Sequence, residues 1–380
     1  MASPDTLEFE RLLAPISAES PSGVELKDDA ALLPRYIQAK DARENARTAE
    51  RKLARPPDEN EPASAAIAPP DWKKVATLTT DLLTQSSKDL WIAAWLLEAV
   101  TRLHGFAGLR DGFRLFRELA ERYWDGIHPR PDEDGYATTL AQLTGLNGED
   151  AQGTLLSPID AIPITDSPAH GNLTSADHLA AVALEKVSDP QRRSQRIEQG
   201  AYTLEIFRKA ANDTSADFFR RTLEDLDQAI AEFRLLNTFL DQKCGKDARG
   251  HSLAPPSSNL RNALTACRDR LANLAKEVLP AEGSAPASLA VVEGHSGGSQ
   301  SLSVDASRMP TREEAFRSLL QVADFFRRTE PHSPVSYALE QAVRWGRMPL
   351  PELLQELIMD DGVRKELFRR TGIGPIDPAN

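Results

Sequence analysis

The sequence predicts an all-α protein built from several helical modules, on three observations. Apolar residues recur at three- and four-residue steps through most of the chain, the period of one helix face. Aromatic residues make up only 6% of the 380 residues while alanine and leucine recur throughout, a poor supply of the side chains that strands prefer. Capping and breaking residues punctuate the periodic stretches, as at Asp71, Asp189-Pro190 and Ser333-Pro334, where helices start.

Residues 1–165 form the first module. Leu7 to Leu13 is a short amphipathic segment, followed by Pro15 and a Ser20-Pro21-Ser22-Gly23 turn. Gln38 to Arg55 is charged, so a helix there has little to bury. Residues 55–70 are rich in proline and acids and read as a surface loop. Residues 71–146 carry the densest core. Asp71 caps a helix with Trp72, Val75, Leu78 and Leu82 on one face. A second helix starts near Lys88, and its centre, Leu90 to Leu97, is apolar on nearly all sides, as in the middle of a bundle. Gly105 is placed to end it. A third helix turns Leu109, Phe113, Phe116, Leu119, Ala120 and Tyr123 inward, and a shorter one covers about 137–146. The prolines in Leu155 to Thr165 predict an extended strap lying on the bundle.

Residues 173–280 form the second module. Phe219, Leu223, Leu226, Ile230, Phe233, Asn237 and Leu240 follow a 4-3-4-3 spacing that Gly245 ends. Leu260, Leu264, Cys267, Leu271, Leu274 and Val278 repeat it after a cap at Ser257 or Ser258. Two such seams predict an antiparallel helical hairpin, with Cys267 as a small hydrophobe inside it. Residues 281–308 are dominated by glycine and serine and read as a linker. Residues 309–374 return to helical patterning: a Thr311-Arg-Glu-Glu314 capping box, a Glu330-Pro-His-Ser-Pro334 connection, a helix through Val335, Leu339 and Val343, then Pro351 opening a helix through Leu353, Leu354, Leu357 and Ile358. A module this small is marginal alone, so it is expected to gain stability by self-association.

The formal net charge of -12 argues against a nucleic-acid binder, which needs a basic surface. Two cysteines without CxxC pairing point to a reducing compartment, with no metal or disulfide framework. No signal peptide is visible at the N-terminus. The purest apolar run, Trp91 to Leu97, falls far short of the about 20 residues a membrane span needs. A soluble cytoplasmic protein is expected. No P-loop, dinucleotide fingerprint, HExxH or EF-hand loop occurs, and no cofactor, metal ligand or catalytic residue is expected. Gly294-His-Ser-Gly-Gly298 matches the nucleophile-elbow pattern, and a serine hydrolase acting through Ser296 is the competing reading. The pattern lacks the buried strand before it and the helix after it that the elbow requires. A generic helical adaptor is a third reading.

Leu12-Leu-Ala-Pro-Ile-Ser17, Gly23, Pro70-Asp-Trp72, Ser87-Lys-Asp-Leu90, and above all Glu121-Arg-Tyr-Trp-Asp-Gly-Ile-His-Pro129 resemble the ImpA-type N-terminal domain of TssA proteins in type VI secretion. The likeness runs from about residue 7 to 165. Glu330-Pro-His-Ser-Pro-Val335, Arg344-Trp345 and Met348-Pro-Leu-Pro351 resemble the end module of the shorter TssA branch. The resemblance implies a non-enzymatic scaffold that forms ring-like homo-oligomers through its C-terminal region. It also implies work with baseplate, membrane-complex, tube and sheath proteins, and recruitment by them to the inner face of the envelope. Pro331, His332, Pro334, Arg344, Trp345, Leu353 and Leu357 are the expected oligomer or partner contacts.

Overall fold

A computed structural model describes residues 2–54, 68–133, 135–149, 151–276, 278–279, 312–329, 334–358 and 360–371. The fold is all-α, and the chain divides into two compact units, Met1–Pro286 and Ala287–Asn380.

In the first unit the core is organised around α4 (Leu90–Tyr123), whose carriers are α1 (Phe9–Leu12), α2 (Leu33–Leu53) and α3 (Trp72–Gln85) on the N-terminal side, with α5 (Ala137–Asn147) and α6 (Leu156–Asp160) after it. Asp71 caps α3 by accepting from the Lys74 amide at 3.0 Å. Asp89 caps α4 through the Trp91 and Ile92 amides. Gly105 kinks α4 without ending it, at φ 60° and ψ -135°. A side chain there is strained in the left-handed region, and a Cβ would also press on Ile162.

The charged stretch predicted to bury little is α2, and it does bury a face. Ala39, Ala42 and Ala46 pack inward, and Arg43 is buried with them, bonded to the buried Glu98 of α4. Glu98 also accepts from Thr154 at 2.8 Å. Arg102 of α4 grips Glu50 of α2 and lies 4.0 Å over the Trp72 ring of α3, tying three helices at one point. The strap after Leu155 is not extended throughout. Residues 156–160 close into α6, because Pro158 sits within the first turn, where its missing amide costs nothing. Ile162 and Ile164 then pack inward as expected.

The chain continues through α7 (Ser175–Glu185), α8 (Pro190–Glu198), α9 (Leu204–Asp213), α10 (Ala216–Cys244) and α11 (Ser258–Ala275). α10 and α11 form the hairpin, but α10 also packs along α4. The Phe113 and Phe233 rings meet there at 4.8 Å. One hydrophobic cluster therefore runs from Phe9 to Ala275. The α10 seam is rotated from the predicted register: Leu236 is buried, while Asn237 sits at the edge and donates to the Phe233 carbonyl. Ser257 is the cap position of α11, without a side-chain bond. Cys267 is buried in the seam, where burial pushes its thiol up to about 11; a thiol so raised is inert at neutral pH.

The second unit holds α12 (Arg312–Thr329), α13 (Val335–Arg347), α14 (Leu350–Leu357) and α15 (Asp361–Thr371). α12 and α13 pack together. Gly346 permits their approach, since a Cβ there would lie 2.5 Å from the Phe316 ring. Thr311 and Ser333, the expected caps, lie outside the described residues.

Candidate functional site

The motif stretches of the first module converge in the interior. Lys88 is their hub and is fully buried. Its amide donates to the Ser22 carbonyl at 2.7 Å and its carbonyl accepts from the His128 amide at 3.0 Å. Its Nζ donates to the carbonyls of Leu12 and Leu83 at 2.8 and 2.7 Å. The Leu90 amide donates to the His128 carbonyl, and the His128-Pro129 peptide is cis. Tyr123 donates its hydroxyl proton to the Leu13 carbonyl at 2.7 Å. Gly23, at φ 75°, passes so close to Ser86 that a Cβ would meet the Ser86 carbonyl oxygen at 2.0 Å. The Trp124 indole donates to the Tyr136 hydroxyl and meets the Phe239 ring of α10 edge-on at 5.4 Å. Leu12–Gly23, Ser87–Leu90 and Glu121–Pro129 are thus one knot that holds the N-terminal strap, the start of α4 and its end together.

The knot concentrates titratable groups. His128 Nδ1 lies 3.2 Å from Glu25. Burial pushes Glu25 up, but the hydrogen bond and charge of His128, aided by Lys27, outweigh it and bring the carboxyl below its ordinary range. Burial raises Asp89 to about 6, against the pull of the Ile92 and Trp91 amides it caps. Burial lowers the Lys88 amine to about 8. Such shifts mark many active sites, yet here each follows from enclosure in a structural joint. Among the described residues no group of three or more His, Cys, Asp or Glu is placed to hold a metal. The depressed amine has a measurable consequence. Between pH about 8 and about 10.5 the unfolded chain holds the Lys88 proton and the folded chain does not, so this residue's contribution to stability rises with pH across that window. A Lys88→Met variant is expected to lose the rise, as read from urea midpoints at pH 7.5 and 10; an unchanged slope contradicts it.

The expected contact residues fall in the second unit. Pro331 and His332 lie outside the described residues. Pro334 is exposed at the start of α13, and Leu357 of α14 is 52% exposed. Arg344 pairs with Glu356, and Gln341 donates to the same carboxylate at 2.9 Å. Trp345 and Leu353 are half-buried. Arg344 also borders a cavity of about 510 Å³ with Leu320, Val343 and Met348 in its walls, edged by Glu340, Arg347 and Glu352. Among the described residues of this unit only Ala323, Ser336 and Val343 are buried, while Phe325, Tyr337, Leu350, Leu357 and Val363 are each at least half exposed. The Gly294–Gly298 elbow match, with Ser296, lies outside the described residues. His178 is packed edge-on against Phe207 at 5.1 Å.

Residues 13–148 match the family model described as ImpA, N-terminal, type VI secretion system. The chain is also 29% identical over 371 residues to the type VI secretion system component TssA1 of Pseudomonas aeruginosa, covering 96% of this chain and 98% of that protein. Together the two matches make the chain similar to TssA proteins, through the ImpA-type region and across nearly its whole length. Its fold is similar to the solved N-terminal domain, including the conserved ImpA_N region, of the TssA component from Burkholderia cenocepacia, with a TM-score of 0.56 and 24% identity over 71% of this chain and 94% of that one. The model span of the TssA N-terminal domain encloses Lys88, Gly23 and the Glu121–Pro129 stretch, the members of the knot. Sequence reading marked these stretches by likeness but missed the buried role of Lys88. The one signal was a lysine beside an N-cap aspartate, directly ahead of an all-apolar run. No described helix is long and apolar enough to cross a membrane.

Proposed function

We propose that this chain is a member of the TssA family and a structural assembly component of the type VI secretion system, and not an enzyme. It acts in the cytoplasm and is drawn to the inner face of the envelope by its partners. The α12–α15 module forms a ring-like homo-oligomer. The first unit faces the machinery, contributing to baseplate placement and to tube and sheath growth together with membrane-complex proteins.

The observation that carries this reading is the end-to-end match to TssA1, which extends through the C-terminal module as well as the ImpA-type domain. The sparse interior of that module supports the oligomer. The three residues buried among those described cannot offset the ordering cost of four helices, roughly 1–2 kcal/mol per residue for the backbone alone, whereas the exposed Tyr337, Leu350, Leu357 and Val363 supply apolar area that copies can share. A ring also multiplies weak partner contacts into avidity.

Light scattering on the intact chain is expected to give several times the mass of one chain. Leu357→Asp, on an exposed position that no described core needs, is expected to lower it, and removal of residues 312–380 to lower it further. An intact protein that stays single at micromolar concentration overturns the oligomer. Capture of sheath, tube or baseplate proteins with the intact chain is the matching test of the secretion role.

A further inference from the structure

No residue between Leu184 and Phe207 is buried. Those two are core anchors, 2% and 1% exposed, so the chain leaves the core at the end of α7 and returns in α9. α8 is carried on that excursion without one buried side chain. Its nine residues are fewer than an isolated helix needs in water. It relies on local devices instead: the Asp189 carboxylate accepts from the Gln191 amide at 2.9 Å, and Pro190 presets the first turn. A helix held this way adds no apolar burial to the fold. What it does is display a face.

At helical spacing Arg192 and Arg196 stack on one ridge, with Arg193 and Ile197 on the next. Three guanidinium groups and one exposed aliphatic side chain thus share a face, while Gln191, Ser194, Gln195 and Glu198 take the other. Arg193 is tethered to Glu185 of α7 at 2.7 Å. Arg192 reaches Asp189 only at 3.6 Å, with its side chain 80% exposed. Arg196 has no partner among the described residues. This patch has the opposite sign to a chain whose net charge is -12.

We infer that the α8 face docks an acidic polypeptide segment that carries an apolar side chain among its carboxylates. Guanidinium forks match carboxylates two bonds at a time, and Ile197 offers the apolar contact that fixes the position. Charge complementarity selects this occupant over a polyphosphate. Three arginines on a nine-residue helix reach too few phosphates to hold a nucleic acid or a membrane surface, whose binding grows with the number of phosphates neutralised. A protein segment needs only the local match.

The test is photo-crosslinking of the full-length chain in its native cells, with Ile197→benzoylphenylalanine and adducts mapped by mass spectrometry. Adducts are expected on polypeptide, within a stretch where Asp and Glu are in excess. Arg192→Glu/Arg196→Glu in the same chain is expected to cut adduct yield at least tenfold. Because α8 buries nothing, that variant keeps the thermal midpoint of the parent. Arg192→Lys/Arg196→Lys retains part of the yield. Yield no higher than from Ser194→benzoylphenylalanine on the opposite face overturns the proposal. So do adducts to nucleic acid or lipid, and polypeptide adducts that lack the acidic excess or survive charge reversal. None of these outcomes depends on the C-terminal oligomer, which light scattering tests separately.

Discussion

Replacing Arg110 by methionine is expected to cost about 3–5 kcal/mol of stability, the typical loss when one partner of a buried ion pair is removed. Arg110 is 5% exposed, and it lies between two buried carboxylates, Asp111 of its own helix and Asp225 of α10. Its Nε donates to Asp111 at 2.7 Å and its Nη1 to Asp225 at 2.8 Å. The same guanidinium donates to the carbonyls of Ser3 and Pro4. The carboxylates complete the clamp by accepting from the N-terminal strand of chain: Asp225 from the Ser3 amide and hydroxyl, Asp111 from the Thr6 amide and hydroxyl. Methionine keeps much of the volume but leaves two negative charges facing each other in the interior. The urea midpoint should fall while the m-value stays constant. Hydrogen exchange at the Ser3 and Thr6 amides should accelerate together, because their acceptors lose the counter-charge that positions them. A loss below about 1 kcal/mol, well under the range for a broken buried pair, would mean that the carboxylates find other partners, and the clamp would not be the joint described.

Phe113→Ala is expected to cost about 3–5 kcal/mol, as for other buried Phe→Ala changes. Phe113 is fully buried on α4, and its ring meets Phe233 of α10 at 4.8 Å. The cavity opens where the central helix of the bundle meets the long helix of the hairpin, with Leu226, Ala229 and Leu236 on the hairpin side of the same cluster. The substitution should lower one cooperative transition of the first unit, seen alike by tryptophan fluorescence, to which that unit contributes four of the five tryptophans (Trp72, Trp91, Trp95 and Trp124), and by circular dichroism, which reports all helices. Divergence of the two probes, with the tryptophans unfolding separately from the helical signal, would falsify a single core.

Much of the fold was legible because helices announce themselves locally. Asp71 and Asp189 are read as caps from their place before periodic runs, and their carboxylates cap α3 and α8. Gly245 ends α10 at φ 74°, as a glycine after a long apolar seam suggests. The misreadings have one cause in common. Past Tyr36, the buried side chains of α2 are alanines and an arginine, so that stretch of its inward face carries little hydrophobicity to recognise. In α10 Leu236 and Asn237 are adjacent, and a small rotation decides which is buried; contact with α4 as well as α11 turned the helix toward Leu236. Glu98 was passed over within an apolar run, although a lone acid there is itself a signal of a buried partner, supplied by Arg43 from 55 residues away.

The C-terminal contacts stand differently. Arg344, Trp345, Leu353 and Leu357 were named from likeness and apolar spacing. The structure places Arg344 beside a cavity and leaves Leu357 in solvent, an arrangement compatible with contact between copies.

By itself the sequence determined the helices, their caps and breaks, the acidic balance and the family likeness, since these rest on interactions within a few residues of chain. Only the tertiary structure decided which helix faces meet: that α10 joins the α4 bundle, that Lys88 holds three distant stretches by its amine and backbone, and that α8 is left outside. Those outcomes depend on pairings between residues tens to hundreds of positions apart. Periodicity can show that a face is apolar, but not which other face will cover it.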